Sequence, residues 1–281
     1  MNVDKQRKTL RVFFRNKTAV IGGAVFALVL LITIFAPLLS PHDPLEQSVL
    51  LSLSPPSKDH LLGADDFGRD LLSRIIWGAR VSVTVGISSV LFGMLTGTAL
   101  GMIAGYFGGK IGAVIMRSTD IMMCFPDLIL GLAVMSILGS NFINLIASIG
   151  IVLVPRFIRL AYAPTLVVKE RDYTDAARAI GMSNARLIRR HVLPNIFGEI
   201  LVAGSLWVGE AIRLEANLSF IGLGVPPPTA TWGNMIRQGM PYLSRAPWLS
   251  VFPGLAILIT ILSLNMLGDG IRDITDPKLQ G

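Results

Sequence analysis

Glu210, Arg213 and Glu215 stand toward the end of a largely apolar run, from about residue 195 to 222. A charged side chain at the centre of a bilayer costs about 2.5–3.5 kcal/mol on insertion scales, so such groups pair, face water or bind something. Glu210 and Arg213 are three apart and can pair on one helix face. Glu215 lies five residues from Glu210, on a different part of the helix. Two readings stay open: a solvated face along a path through the membrane, or an ion pair that fixes a helix bundle. A second charged cluster is Gly63-Ala-Asp-Asp-Phe-Gly-Arg-Asp70. There Asp65, Asp66, Arg69 and Asp70 either receive an external protein or close a self-contained turn through Asp–Arg bonds.

Other chemistry is thinly represented. Gly108-Gly109-Lys110 is the nearest approach to a phosphate-binding loop, and it lacks both the upstream Gly and the following Ser/Thr. Cys124 is the single cysteine, which excludes an internal disulfide. His42, His60 and His191 are far apart in the sequence and form no metal-spaced cluster, so no metal is expected. A membrane enzyme would need a nucleophile–base or paired-carboxylate site in its spans, and neither pattern is present. The chain is read as carrying no covalent chemistry and no cofactor.

The segment from Asp172 to Pro194 is polar and basic between two long apolar stretches. Its alanines, Ala176, Ala177 and Ala179, favour a short helix over about 170–180, capped by Asp172 or Thr174. Gly181 suits the left-handed position after a helix. Ser183 then caps a second helix, about 184–191, that carries Arg186, Arg189 and Arg190, and Pro194 marks the start of the next apolar run. Such a helix–hinge–helix can dock onto a soluble partner, or it can be a solvated loop lying near lipid headgroups.

The elements that position these groups follow from hydropathy. Of 281 residues 52% are hydrophobic and only 15% are charged, against about 25% charged in ordinary soluble domains. Mean hydropathy is +0.62. Runs of about 20 apolar residues predict six membrane spans: 19–39, 80–107, 112–138 with an interruption at Phe125-Pro126-Asp127, 143–163, 195–222 and 249–268. The first run, Thr18 to Leu39, is too long for a signal peptide core and is read as an uncleaved span. Glycines at 93, 97, 101, 105 and 109 recur every fourth residue and predict a helix face for close packing, with a soft hinge as the rival reading. Arg117 and Asp120, three apart, are expected to pair.

The net charge of +7 comes from cations flanking the spans, and no basic patch with interleaved aromatics points to nucleic acid. Six Lys/Arg fall in the N-terminal tail and eight between 156 and 190, against three in the 41–78 loop and two in 223–248. The positive-inside bias therefore places both termini and the 165–193 loop in the cytoplasm, with loop 41–78 facing outward. The division is a tail over 1–18, a six-span domain over 19–272 and a tail over 273–281.

Asp175-Ala176-Ala177, three residues, Gly181, nine residues and His191-x-Leu193-Pro194 resemble the EAA motif of permease subunits of bacterial ABC importers. Asp175 stands where Glu is usual, and His191 where the general motif has Ile. Leu62-Gly-Ala-Asp-Asp-Phe-Gly-Arg-Asp-Leu-Leu-Ser-Arg74, with Gly78 and Arg80, is similar to the outward loop of the dipeptide/oligopeptide/nickel group. So is Leu218-Ser-Phe-Ile-Gly-Leu-Gly224 followed by Pro228-x-x-x-Trp232-Gly-Asn-Met235. The likeness is to the second permease of such systems. It implies an all-α, type I ABC importer permease fold in the bacterial cytoplasmic (inner) membrane, with cytoplasmic coupling helices. Tyr173, Asp175, Ala176, Ala177, Gly181, Arg186 and Arg189 would meet the ATPase. The implied partners are a homologous permease in a heterodimer, two ATP-binding subunits that hold ATP and Mg, and an extracytoplasmic substrate-binding protein. The expected cargo is di- or oligopeptide, with nickel, glutathione and opine-type compounds as alternatives; His42 and His60 could contact the metal if the cargo were nickel. The rival class is an ion-coupled secondary transporter, which would leave the docking segment without a role and for which no repeat is evident.

Overall fold

The computed structural model describes residues 16–275, with side chains to residue 270. Most of the tails expected at 1–18 and 273–281 lies outside the described residues. Among the described residues there is no strand, only an isolated bridge between Ala64 and Asp70. Helix α1 is Lys17–Ile34, started by the Asn16 side chain, which accepts from the Ala19 N–H. A short turn, α2, is Ala36–Leu39, with Pro37 near its start. Helix α3, Leu71–Phe107, has 37 residues and is capped by Asp70, whose carboxylate accepts from the Ser73 N–H. It ends at Gly108, at φ 61°.

Next come α4 (Gly109–Met123) and α5 (Asp127–Leu138), bent from one another by 101°. Helix α6 is Phe142–Lys169 and contains Pro155 and Pro164. Helix α7 is Asp172–Ala179. Helix α8 runs from Asn184 to Ile221, 38 residues, with a wider π turn at Ile188–Val192. Helices α9 (Trp232–Gly239) and α10 (Trp248–Thr275) complete the order.

The glycine row is a packing seam, as its spacing predicts. A Cβ on Gly97 would fall 2.6 Å from Phe157 Cβ, and one on Gly101 would fall 2.9 Å from Ala161 Cβ. Gly93 faces Leu153 and Gly105 faces Thr165 in the same way. Each step of four along α3 meets a step of four along α6 in the same direction, so the two helices run parallel. Gly109 is not part of the seam: it opens α4 at φ 52° with nothing within 4 Å of a Cβ.

The parallel seam fixes the topology. A chain that leaves one end of α3 and begins a parallel α6 must first return across the bundle, so α4 and α5 together make one crossing. Among the described residues, five helices are long and apolar enough to span a membrane, and this bent pair makes a sixth crossing. Helix α8 runs antiparallel to α3, since Gly86 abuts Ile212 while Gly204 abuts Met94. Helix α10 returns along α1, with Gly270 against Ala19 and Gly22 against Met266. The described ends of the chain therefore meet at one end of the bundle, which also carries residues 106–109 and 169–187.

Several boundaries depart from the sequence expectation. Span 2 begins at Leu71 rather than 80 because Asp70 caps it, and this shortens the loop expected at 41–78. Span 4 continues past Pro164 to Lys169. The proline removes the backbone donor that would reach the Leu160 carbonyl, and the Thr165 hydroxyl donates to the neighbouring Ala161 carbonyl at 2.6 Å. Arg156 and Arg159 accordingly sit within α6, not at its end. The expected Arg117–Asp120 pair does not form. Asp120 instead binds Arg159 at 2.7 Å, and Asp127 binds Arg156. Both pairs tie the bent crossing to α6.

Candidate functional site

Helix α7 is the first element of the polar segment. Neither predicted cap is used: Arg171 holds the cap position with no side-chain bond, and the buried Thr174 hydroxyl donates to the Val168 carbonyl at 2.8 Å. The helix closes with Gly181 at φ 85°, Gly181 N–H on Arg178 O and Met182 N–H on Ala177 O. That bond pair needs a left-handed residue at this point, which is glycine's role.

Thr174 and Ala177 pack inward, whereas Tyr173, Asp175 and Ala176 are exposed. Ala177 is thus a packing residue of this helix rather than part of its open face. Ile180, 82% exposed, is the apolar residue that sequence reasoning missed. It stands beside Tyr173, Ala176 and Gly181 in the same open surface, and its apolar position just before the glycine was the available signal. Asp175 pairs with Arg178 at 2.9 Å in an exposed bond, the kind that contributes about 0–1 kcal/mol. Tyr106 at the end of α3 donates to Asn184 Oδ1 at 2.8 Å and so ties the segment to the bundle.

The second helix expected at 184–191 is not separate. Ser183 holds the cap position without a side-chain bond, and Asn184–Leu187 runs through the π turn into the long membrane helix. Pro194 explains the widening. It cannot donate to the carbonyl four residues back and its ring crowds that carbonyl, whereas the wider turn lets Leu193 N–H reach Ile188 O. Leu187 and Val192 are buried, while Arg186, Arg189 and Arg190 are exposed.

Glu210 and Arg213 pair as the spacing predicts, with Arg213 Nε donating to Glu210 Oε2 at 2.9 Å. Both border a half-open cavity of about 390 Å³ between α6, α8 and α10, together with Arg156, Trp207 and Asn265. Glu215 is parted from them. It is wholly buried, and Ser219 Oγ donates to its Oε1 at 2.6 Å. Its Oε2 has no hydrogen-bond partner, and Ser82 and Thr231 are its other polar neighbours. The solvated-face reading therefore does not extend to Glu215.

At the opposite end of the bundle, Asp65, Arg69 and Asp70 are buried, so they form an internal knot rather than a presented surface. Asp65 Oδ2 is 2.7 Å from Arg69 Nε and 3.3 Å from Arg74 Nε. Its Oδ1 accepts from the Phe67 and Arg69 N–H groups at 2.9 Å each. Asp66 is only half-buried; burial first, and then the charge of Asp65, raise its pKa above the ordinary carboxylate value. Desolvation would also raise Asp70. The hydrogen bonds from Ser73 and His60 outweigh it together with the charge of His42, and hold the Asp70 carboxyl below its ordinary value.

His42 and His60, expected apart, are brought together with their ring centres 4.6 Å from each other, both beside Asp70. His42, Arg74, Trp77 and Arg80 line a neighbouring cavity of about 880 Å³.

The Binding-protein-dependent transport system inner membrane component family matches residues 97–281, and the N-terminal TM domain of oligopeptide transport permease C matches residues 7–56. The dipeptide transport system permease protein DppC of Alkalihalophilus pseudofirmus is 41% identical over 278 residues, covering 99% of this chain and 91% of that protein. The glutathione transport system permease protein GsiD of Pectobacterium atrosepticum is 40% identical over 275 residues, covering 98% and 91%. The inward-facing MetNI methionine ABC transporter superposes with a TM-score of 0.59 at 16% identity, over 73% of this chain and 98% of that one; at that identity the likeness concerns fold alone. The six-crossing helical bundle is thus the type I ABC importer permease fold, in a multi-pass inner membrane protein. With near-full-length relatives as well as the family match, the chain belongs to the binding-protein-dependent transport system inner membrane components, as a permease subunit of an ABC importer.

Proposed function

We propose that this permease imports short peptides by alternating access, driven through the surface formed by α7, Gly181 and the first turn of α8. The carrying observation is that this surface exposes Tyr173, Ala176 and Ile180 while its second half is the same helix as a membrane crossing. A force applied there reaches the bundle without an intervening loop. Two ATP-binding subunits, holding ATP and Mg, grip this surface. Asp175, Arg186 and Arg189 flank it with charge, and Gly181 sets the angle between its two parts.

The end that carries 165–193 faces the cytoplasm, as its arginines favour, and both termini lie on that side. The knotted loop faces outward, toward an extracytoplasmic substrate-binding protein. A homologous permease completes the path as a heterodimer. The peptide class rests on the relatives, a dipeptide permease and a permease for glutathione, itself a tripeptide. Isolating the binding protein that co-purifies with this chain and identifying its bound ligand tests that class. A bound metal chelate or sugar would overturn it.

Tyr173→Ala and Ile180→Asp test the docking surface. Both sites are exposed, so abundance in the membrane is expected to stay at the wild-type level. ATP-driven uptake by the assembled importer is expected to fall at least about tenfold, since exposed aromatic and apolar anchors at the centre of a contact commonly carry 1–3 kcal/mol or more. Wild-type uptake in both variants would refute the docking role. Glu210 and Arg213 are assigned to the path. Arg213→Gln is expected to lower uptake several-fold at unchanged abundance, because it removes a cavity-lining charge rather than a packed group. Uptake equal to wild type would leave the pair as a bond within α8 with no part in transport.

A further inference from the structure

We propose that His42, His60 and Asp70 form a binding site for a divalent cation of the zinc class. The three residues come from three separate points on the chain. His60 Nδ1 is 2.9 Å from Asp70 Oδ1, and His42 Nδ1 is 3.7 Å from the same oxygen. One potential ligand atom from each residue lies within 4.8 Å of the others. Donors about 2.1 Å from a tetrahedral zinc sit about 3.4 Å apart, so a small turn of the imidazoles closes the set around an ion.

His42 Nδ1 supplies the independent observation. It is shut off from solvent and has no hydrogen-bond partner. A buried polar atom without a partner loses its hydration for nothing in return. A cation held jointly with Asp70 Oδ1 would satisfy it. Two imidazoles and a carboxylate are also the donor types that suit zinc and its neighbours rather than calcium or magnesium.

The donors are held in place before any ion arrives. The Asp70 side chain is almost wholly buried, and its second oxygen accepts from Ser73 N–H at 2.8 Å and from Ser73 Oγ at 2.7 Å. His42 N–H donates back to Ser73 Oγ at 3.1 Å, and His60 N–H donates to Ser57 Oγ at 3.1 Å. Hydrogen bonds of this kind around a ligand set fix its orientation and raise metal affinity. His42 also borders the cavity of about 880 Å³, which gives an ion a way in and leaves a fourth coordination position for water. An ion here would staple the segment after α1 and the loop around His60 to the first turn of α3.

The test uses the full chain, purified without a histidine tag and stripped with a chelator. Zinc chloride alone is titrated against a chromophoric zinc indicator, and thermal unfolding is followed with and without zinc. One zinc per chain is expected, with a rise in melting temperature. His42→Phe and His60→Gln should each weaken binding at least tenfold and remove the rise, while His191→Gln, at the far end of the bundle, should change neither. Failure of the wild-type chain to compete with the indicator, or undiminished binding in His42→Phe or His60→Gln, overturns the proposal. The wild-type titration decides by itself if a variant does not fold. Neither measurement depends on transport, so the proposed importer function stands or falls separately.

Discussion

Gly97→Leu is expected to prevent stable assembly of the bundle. Its first added carbon would sit 2.6 Å from Phe157 Cβ and 2.6 Å from the Val154 carbonyl oxygen. A flexible side chain could swing away from such a contact, but a backbone carbonyl cannot. Relief requires α3 and α6 to separate, which would also open the steps at Gly93, Gly101 and Gly105. Overpacking a well-fitted core costs about 1–3 kcal/mol and occasionally more. With backbone on the receiving side, about 3 kcal/mol or more is expected, a large share of the roughly 5–15 kcal/mol that holds a typical protein folded. Thermal unfolding of the purified chain, together with its abundance in the membrane, measures the loss. Gly198→Ala is the matched control. It is a helical glycine with nothing within 4 Å of a Cβ, and the swap should be neutral or stabilising by about 0.5–1 kcal/mol. Equal melting temperatures for Gly97→Leu and wild type would show that the seam is not close-packed.

Asp65→Asn is expected to be nearly as damaging, for an electrostatic reason. The carboxylate is the shared counter-ion of Arg69 and Arg74, whose side chains are 4% and 2% exposed. Arg69 Nη2 already lacks a hydrogen-bond partner. Asparagine retains the oxygen that accepts from the Phe67 and Arg69 N–H groups, so the turn can persist while the charge is lost. Removing one partner of a buried pair costs about 3–5 kcal/mol, because the remaining charge has been taken out of water without compensation. The drop should appear in thermal unfolding. It should be partly recovered in the double variant with Arg69→Met, which leaves one fewer buried cation; that recovery measures the coupling directly. A single variant as stable as wild type would mean that water reaches the two guanidinium groups.

The broad architecture was legible because hydropathy and helical periodicity are local properties. The apolar runs marked the crossings, and the four-residue glycine spacing marked the seam in α3. Gly181 was identifiable from its setting, a polar alanine-rich stretch that needed an ending. Proline misled once. Pro194 read as a boundary, yet it is carried within a continuous helix by a wider turn, and α6 likewise runs on through Pro164. Ion pairing was also misread where a distant partner won: Asp120 is within helical reach of Arg117, but it binds Arg159. His42 and His60 were candidate metal contacts for a nickel cargo alone, and Asp70 beside them was not foreseen, since loop geometry rather than spacing brings the three together. Glu215 was already expected on a different part of the helix from Glu210, though both were candidates for the path. The turn of the helix sends Glu215 into packed interior, away from the cavity.

The unbroken run of α8 has a mechanical consequence. At about 1.5 Å per residue, its 38 residues form a lever about 57 Å long. Its middle is pinned where Gly204 meets Met94 and Ile212 fills the notch at Gly86. A tilt of roughly 5° about that pivot shifts each tip by about 2.5 Å in opposite senses. Residues 184–187 at one tip and Ile221 at the other must then swing together, with no backlash between them.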